Sequence, residues 1–195
     1  MEMHQHLLYE IQKQVKLSEN DINLCYKLFE PVYISKNTIL EKANHIPKYI
    51  YYLISGFMRL FYYDENGYEV TTHINCPHGF FCSYMEFLDQ KCSPVNVHCI
   101  TNCDVLKMNR SDYSFMMENS SAWKDYATFI LQKSLDYNEN RAKNFAILTA
   151  EQRYLDLINA NPKIINHVPL QYIASFLGIK PESLSRIRKN LLDKC

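Results

Sequence analysis

Glycine is scarce in this 195-residue chain, with only four residues, and tryptophan occurs once. So little glycine excludes a collagen-like or low-complexity chain. Neither sign of charge is in excess: 21 Lys and Arg balance 21 Asp and Glu. A uniformly basic coat is thereby excluded, although a local basic patch is not. No stretch approaches the roughly 20 apolar residues of a membrane span. The first residues, Met1-Glu2-Met3-His4-Gln5-His6, carry no apolar signal core. The seven cysteines (Cys25, Cys76, Cys82, Cys92, Cys99, Cys103 and Cys195) are odd in number and include no C-x-x-C pair. Free thiols, a cytoplasmic location and no membrane partner are the expectation.

What is present points to a globular chain of one domain or two small ones: 47% hydrophobic and 22% charged residues, with 15 Tyr and 10 Phe favouring strands. Leu7, Leu8, Ile11 and Val15 share a helical face. Ser18 then opens a second helix as N-cap, with acidic residues in its first turn and Pro31 beyond its end. From Val32 to about Met108 the period becomes strand-like. The runs are 33–34, 38–40, 49–54, 57–63, 70–74, 95–100 and 104–108, and Asn66-Gly67 is a hairpin signal. Several short strands at regular spacing suggest a sandwich or barrel.

Helical spacing returns with a short helix over 111–117. A long Gly- and Pro-free helix over about 122–145 follows, with Ala127, Ile130, Leu131 and Leu135 as a seam for a second subunit. Thr149-Ala150-Glu151-Gln152 is a capping box that starts a further helix and marks a boundary near residue 148. Residues 169–191 then read as helix, Gly turn, helix. Leu170, Ile173, Ala174 and Leu177 form the first apolar face, Gly178 the turn and Pro181 the first residue of the second helix. Leu184, Ile187 and Leu191 form its apolar stripe. This is the helix-turn-helix pattern. Residues 180–195 hold Lys180, Arg186, Arg188, Lys189 and Lys194 against Glu182 and Asp193, a local net charge of +3 suited to phosphate contact.

The chain resembles the Crp/Fnr family of transcription regulators. The resemblance is carried by Ser55-Gly56-Phe57-Met58-Arg59-Leu60, by 66–70, by His78-Gly79-Phe80-Phe81 and by Cys103-Asp104-Val105. At the C-terminal end, 149–154 and 172–188 resemble a subgroup common in Bacteroidetes-type bacteria. The resemblance implies an α+β fold: an N-terminal double-stranded, jelly-roll-like β-roll with N-terminal helices (1–115), a long dimerisation helix (116–148) and a C-terminal helix-turn-helix domain (149–195). It implies a homodimer on double-stranded DNA with a pseudo-palindromic operator, RNA polymerase as a further partner, and a small-molecule effector or none. Glu182 and Arg186 fall at base-reading positions, and Ser183 at a polar position that touches bases or phosphate. Gln171, Arg188 and Lys189 are expected as phosphate clamps. Pro181 replaces a base-contacting Arg of the family. Only four residues follow Leu191, so the winged hairpin is expected to be absent or truncated.

The effector positions depart from the family pattern. Cyclic-nucleotide binders carry a Glu for the ribose and an Arg-Ser pair for the phosphate. Here those positions hold Tyr84 and Ser93-Pro94, with Glu86 nearby, so cAMP and cGMP are not expected to bind. The alternative reading is a small-molecule- or metal-binding barrel of the cupin type without DNA binding. His73, His78 and His98 lie in the strand region, but no His-x-His pair does. No catalytic grouping, metal site or cofactor is expected.

Overall fold

The computed structural model describes residues 2–193; Lys194 and Cys195 lie outside the described residues. In chain order the elements are α1 (Met3–Gln12), α2 (Glu19–Leu28), β1 (Glu30–Ile34), β2 (Ile39–Glu41), β3 (Tyr49–Ser55), β4 (Met58–Tyr63), β5 (Glu69–Asn75) and β6 (Gly79–Phe81). They continue with α3 (Tyr84–Asp89), β7 (Asn96–Cys99), β8 (Cys103–Asn109), α4 (Arg110–Asn119), α5 (Ser121–Ile147), α6 (Ala150–Ala160), α7 (Ile164–His167), α8 (Leu170–Phe176) and α9 (Pro181–Leu192).

The caps read from sequence are in place. Ser18 accepts from the Asp21 N–H while Asp21 accepts in return, and Thr149 and Gln152 do the same. Each pair satisfies two backbone donors that a helix start leaves orphaned. Gly67 takes φ +78° in the turn between β4 and β5, which pair antiparallel. Pro31 follows the end of α2 and lies within β1, opposite Leu106.

The strands form two antiparallel four-stranded sheets, ordered β1-β8-β3-β6 and β2-β7-β4-β5. Their facing sides enclose the roll interior, with Leu53, Met58, Val97, Cys99, Cys103 and Val105 wholly buried. Because side chains alternate across a strand, each sheet also has an outer face. That of the first sheet, carrying Ile50, Tyr52, Leu106 and Met108, packs under α1, α2, α4 and the start of α5 through Leu7, Ile11, Leu24, Met116 and Trp123. That of the second sheet receives α8. The third core, around Tyr154, Ile164, Ile173, Ala174 and Leu184, belongs to the C-terminal helices and reaches Phe57 and Ile100 of the roll. The α+β architecture expected from the sequence is the one found. No helix among the described residues is long and apolar enough to cross a membrane.

Candidate functional site

The helix-turn-helix is built by local chemistry. Gly178, at φ +69°, donates to the Ser175 carbonyl (3.0 Å), and Ile179 donates to that of Ala174 (3.0 Å), so the chain reverses within a few residues after α8. A Cβ at 178 would stand 3.0 Å from the Phe145 ring. Pro181 occupies the first turn of α9, where a missing N–H leaves no bond unmade. Ala174 and Leu184, both at 0% exposure, are the contact between the two helices. Burying that stripe leaves Glu182, Ser185, Arg186, Arg188 and Lys189 exposed, with Ser183 half-buried. Glu182 and Arg186, four apart, lie one turn from each other on one side. Among the described residues Arg186, Arg188 and Lys189 enter no ion pair, so their charge is not neutralised internally. Gln171 is exposed in the first turn of α8.

The C-terminal part of α5 and the first turn of α6 hold this unit in place. Arg141 donates to the Phe176 carbonyl (3.1 Å), and Arg153 donates to those of Leu148 (2.7 Å) and Leu177 (3.0 Å). Two of these bonds bring a cation to the last carbonyls of α8, where the helix dipole is negative. On its other side α8 meets the second sheet. Arg59 is 2% exposed and stacks between the rings of Phe61 (4.1 Å) and Tyr172 (3.5 Å). Its guanidinium donates to His98 Nδ1 (3.1 Å) and Thr71 Oγ1 (3.2 Å) and pairs with Glu69. Ser175 Oγ accepts from the Thr71 N–H (2.8 Å) and donates to the Glu69 carbonyl (3.1 Å). It thereby satisfies backbone groups on β5, an edge strand. Burial and the Arg59 charge hold His98 below the usual histidine range.

On the effector side, the sequence-derived positions separate into different environments. Ser93 is buried, its hydroxyl 2.7 Å from that of Ser83 at the start of α3. Tyr84 turns instead towards α4, with its hydroxyl 2.7 Å from that of Tyr113. Pro94 is exposed and Glu86 half-buried. The roll interior holds a carboxyl of its own: both oxygens of Glu41 are buried without a hydrogen-bond partner, and burial pushes its pKa up to about 7. Burial likewise pushes the Cys25 thiol up to about 12 and that of Cys76 to about 11, so neither is a ready thiolate. No group of three or more metal-ligating side chains occurs among the described residues.

Along α5 the burial changes abruptly. Trp123 and Tyr126 are buried, Ala127 and Ile130 are half-buried, and every residue from 131 to 140 is exposed, including Leu131 and Leu135. Between α4, α5 and the helix-covered face of the first sheet lies a cleft of about 160 Å³, walled by Phe80, Met108, Met116 and Trp123, with Tyr84, Tyr113 and Ser134 among its few polar groups.

Sequence reasoning missed the roles of Arg59, Glu41, Tyr172 and Ser175. The available signals were weak: Arg59 is a lone cation inside an aromatic strand run, and Glu41 ends a short apolar strand.

Residues 31–120 match the cyclic nucleotide-binding domain family. No curated protein sequence matches the chain. Among solved structures it is similar to CLP of Xanthomonas campestris, a c-di-GMP-responsive global regulator, with 16% identity over 91% of this chain and 93% of that one and a TM-score of 0.70. It is similar to FixK2 of Bradyrhizobium japonicum, with 14% identity, 86% of each chain covered and a TM-score of 0.72. A regulator of Eubacterium rectale assigned to the Crp/Fnr family matches with 15% identity over 91% of this chain and 85% of that one, at a TM-score of 0.70. None of these matches singles out the Bacteroidetes-type subgroup. A β-roll matched as a cyclic nucleotide-binding domain, a long helix and a C-terminal helix-turn-helix, in that order, give this chain the fold of the Crp/Fnr-family transcription regulators.

Proposed function

We propose that the protein is a transcription regulator that binds a specific DNA sequence as a homodimer and does not respond to cAMP. The observation that carries this reading is α9. Its apolar stripe faces the core of the C-terminal helices, with Leu184 buried and Ile187 and Leu191 half-buried, and the other side offers Glu182 and Arg186 one turn apart, followed by Arg188 and Lys189, which enter no ion pair among the described residues. An Arg pairs bidentately with guanine, and a Glu accepts from cytosine N4. Arg188, Lys189 and, from α8, Gln171 suit phosphate, and Ser183 suits either. Two such helices in a dimer enter successive major grooves about 34 Å apart. The ten exposed residues 131–140 in the middle of a 27-residue helix support pairing of α5 with its copy through Leu131 and Leu135, with Ala127 and Ile130 at the near end of the seam. RNA polymerase is the further partner this reading implies.

The roll lacks the counter-charge that a cyclic phosphate requires. Tyr84, Ser93 and Pro94 stand at the anchoring positions, and the buried Glu41 carboxyl supplies no positive charge. Selection from a random DNA pool is expected to enrich a two-fold symmetric site. Failure to enrich any sequence would overturn the reading. On the selected site Arg186→Ala is expected to cost about 1–3 kcal/mol and to relax one base pair per half-site. Lys189→Ala is expected to weaken all DNA alike and to flatten the salt dependence by about one unit for each phosphate left without its cation. Calorimetry with cAMP is expected to show no binding tighter than millimolar.

A further inference from the structure

The geometry points to the cleft between the first sheet's outer face, α4 and α5 as a binding site for a small uncharged hydrophobe, about the size of a substituted single ring, carrying one hydrogen-bonding group. The inference rests on the regulator reading only in calling this molecule an effector.

Size is the first argument. The cleft measures about 160 Å³. An apolar cavity of about 150 Å³ stays dry and accepts benzene. Filling such a space restores dispersion contacts that its walls otherwise lack. The lining is the second argument. The chain is 22% charged, yet no charged side chain lines the cleft. Met108, Met116 and Met117 stand beside Phe80 and Trp123, and methionine adapts its shape to an apolar guest. An ionised ligand, a cyclic nucleotide included, would lose its hydration there without compensation.

The third argument is a pair of hydroxyls in the wall. The Tyr84 and Tyr113 hydroxyls bond to each other at 2.7 Å. One O–H is used in that bond, leaving the other proton and the remaining lone pairs for a guest hydroxyl or carbonyl. Burial and the Tyr84 hydroxyl push the Tyr113 pKa up, so Tyr113 keeps its proton at ordinary pH. Position is the fourth. The inner end is closed by Met116 and Trp123, at 0% and 2% exposure, whereas Leu131 and Ser134 at the outer end are exposed. A guest would therefore touch the roll and the start of the exposed stretch of α5 together.

Trp123 is the chain's only tryptophan and forms part of the wall, so its emission reads occupancy directly. Full-length protein is titrated with toluene, p-cresol and benzoate, and thermal stability is recorded in parallel. Toluene and p-cresol are expected to change the Trp123 emission saturably and to raise Tm, with p-cresol at least threefold tighter and benzoate without effect. Tyr113→Phe is expected to remove the preference for p-cresol while keeping toluene binding. Ala127→Phe, which fills the cleft from α5, is expected to abolish both responses. Three results would each overturn the proposal: no saturable response up to the solubility limit, equal binding of benzoate, or an unchanged response in Tyr113→Phe. A fourth is binding seen only in a monomeric Leu135→Glu variant, which would show that a second copy of the chain occupies the cleft. Operator binding is read separately, so a protein that selects DNA but ignores the probes refutes this inference alone.

Discussion

The two outer faces of the roll are covered in opposite ways. The first sheet is sealed by α1, α2, α4 and α5 through a continuous apolar layer, in which Leu7, Ile11, Cys25, Leu106 and Met116 have no exposed surface. The second sheet is covered by α8 through one buried arginine, its Glu69, Thr71 and His98 partners, a tyrosine ring and an α8 serine bonded to an edge strand. Apolar burial is non-directional, and each large side chain contributes about 1.5–3 kcal/mol. A buried polar seam adds little net stability when complete and costs much when one partner is removed. The helical cap and the first sheet therefore share one apolar core. The C-terminal helices are held to the second sheet by contacts whose strength depends on geometry and protonation.

The largest effect is expected on the apolar side. Trp123→Ala removes a fully packed ring that also donates to the Asp21 carbonyl (3.2 Å), and should cost about 3–5 kcal/mol in urea unfolding followed by circular dichroism. A loss below about 1 kcal/mol would mean that the cap is not the stabilising face.

Between the two faces lies Glu41. Its pKa is about 7 in the fold against 4.5 for the free side chain, so the folded state favours the protonated form. Stability is complete below pH 4.5 and declines as pH rises through about 7. Glu41→Gln should therefore match the parent at pH 4 and exceed it by about 2–3 kcal/mol at pH 8, read as a shift in urea midpoint. Equal gains at both pH values would place the carboxyl outside the roll interior.

The seam should respond less strongly and locally. Tyr172→Ala removes one aromatic face from Arg59, worth about 1–2 kcal/mol. Hydrogen exchange should quicken in 69–75 and 170–176 while α1 and α2 stay protected. Uniform quickening would show that both faces unfold as one unit.

The smallest expected effect is on pH response. The folded state holds His98 neutral, below its ordinary value, as an acceptor for Arg59. Its contribution is present above pH 6.5 and is lost as pH falls through the lowered value. Exchange of the α8 amides, corrected for intrinsic rate, should therefore increase on going from pH 7.5 to 5.5, with no matching change in the apolar cap. His98→Asn should blunt that increase.

Legibility from sequence follows the range of the interaction. Ser18 with Asp21, Thr149 with Gln152, the Asn66-Gly67 turn, Gly178 and Pro181 act over a few residues, and each was read where it stands. β6 and α3 were not read, because three residues and six residues are too few to show a period. Helix α9 is legible as an amphipathic pattern bounded by Gly and Pro. The contacts made at the positions taken from the family for an effector are not legible in the sequence: Tyr84 pairs with Tyr113 on α4, and Ser93 with Ser83.

The sequence alone determined the order of parts: a strand-rich segment, a long uninterrupted helix, and two short helices with a cationic exposed side. Those features are periodicities and caps, and they are local. The tertiary structure decided which arginine is buried and what surrounds it, because Arg59 meets residues 69, 71, 98 and 172, whose separation along the chain hides any pattern. It also decided that Glu41 faces inward without a partner, and that an uncharged cleft opens beside the only tryptophan. Burial and cavities come from how distant surfaces pack against one another, and no local pattern encodes the space left between them.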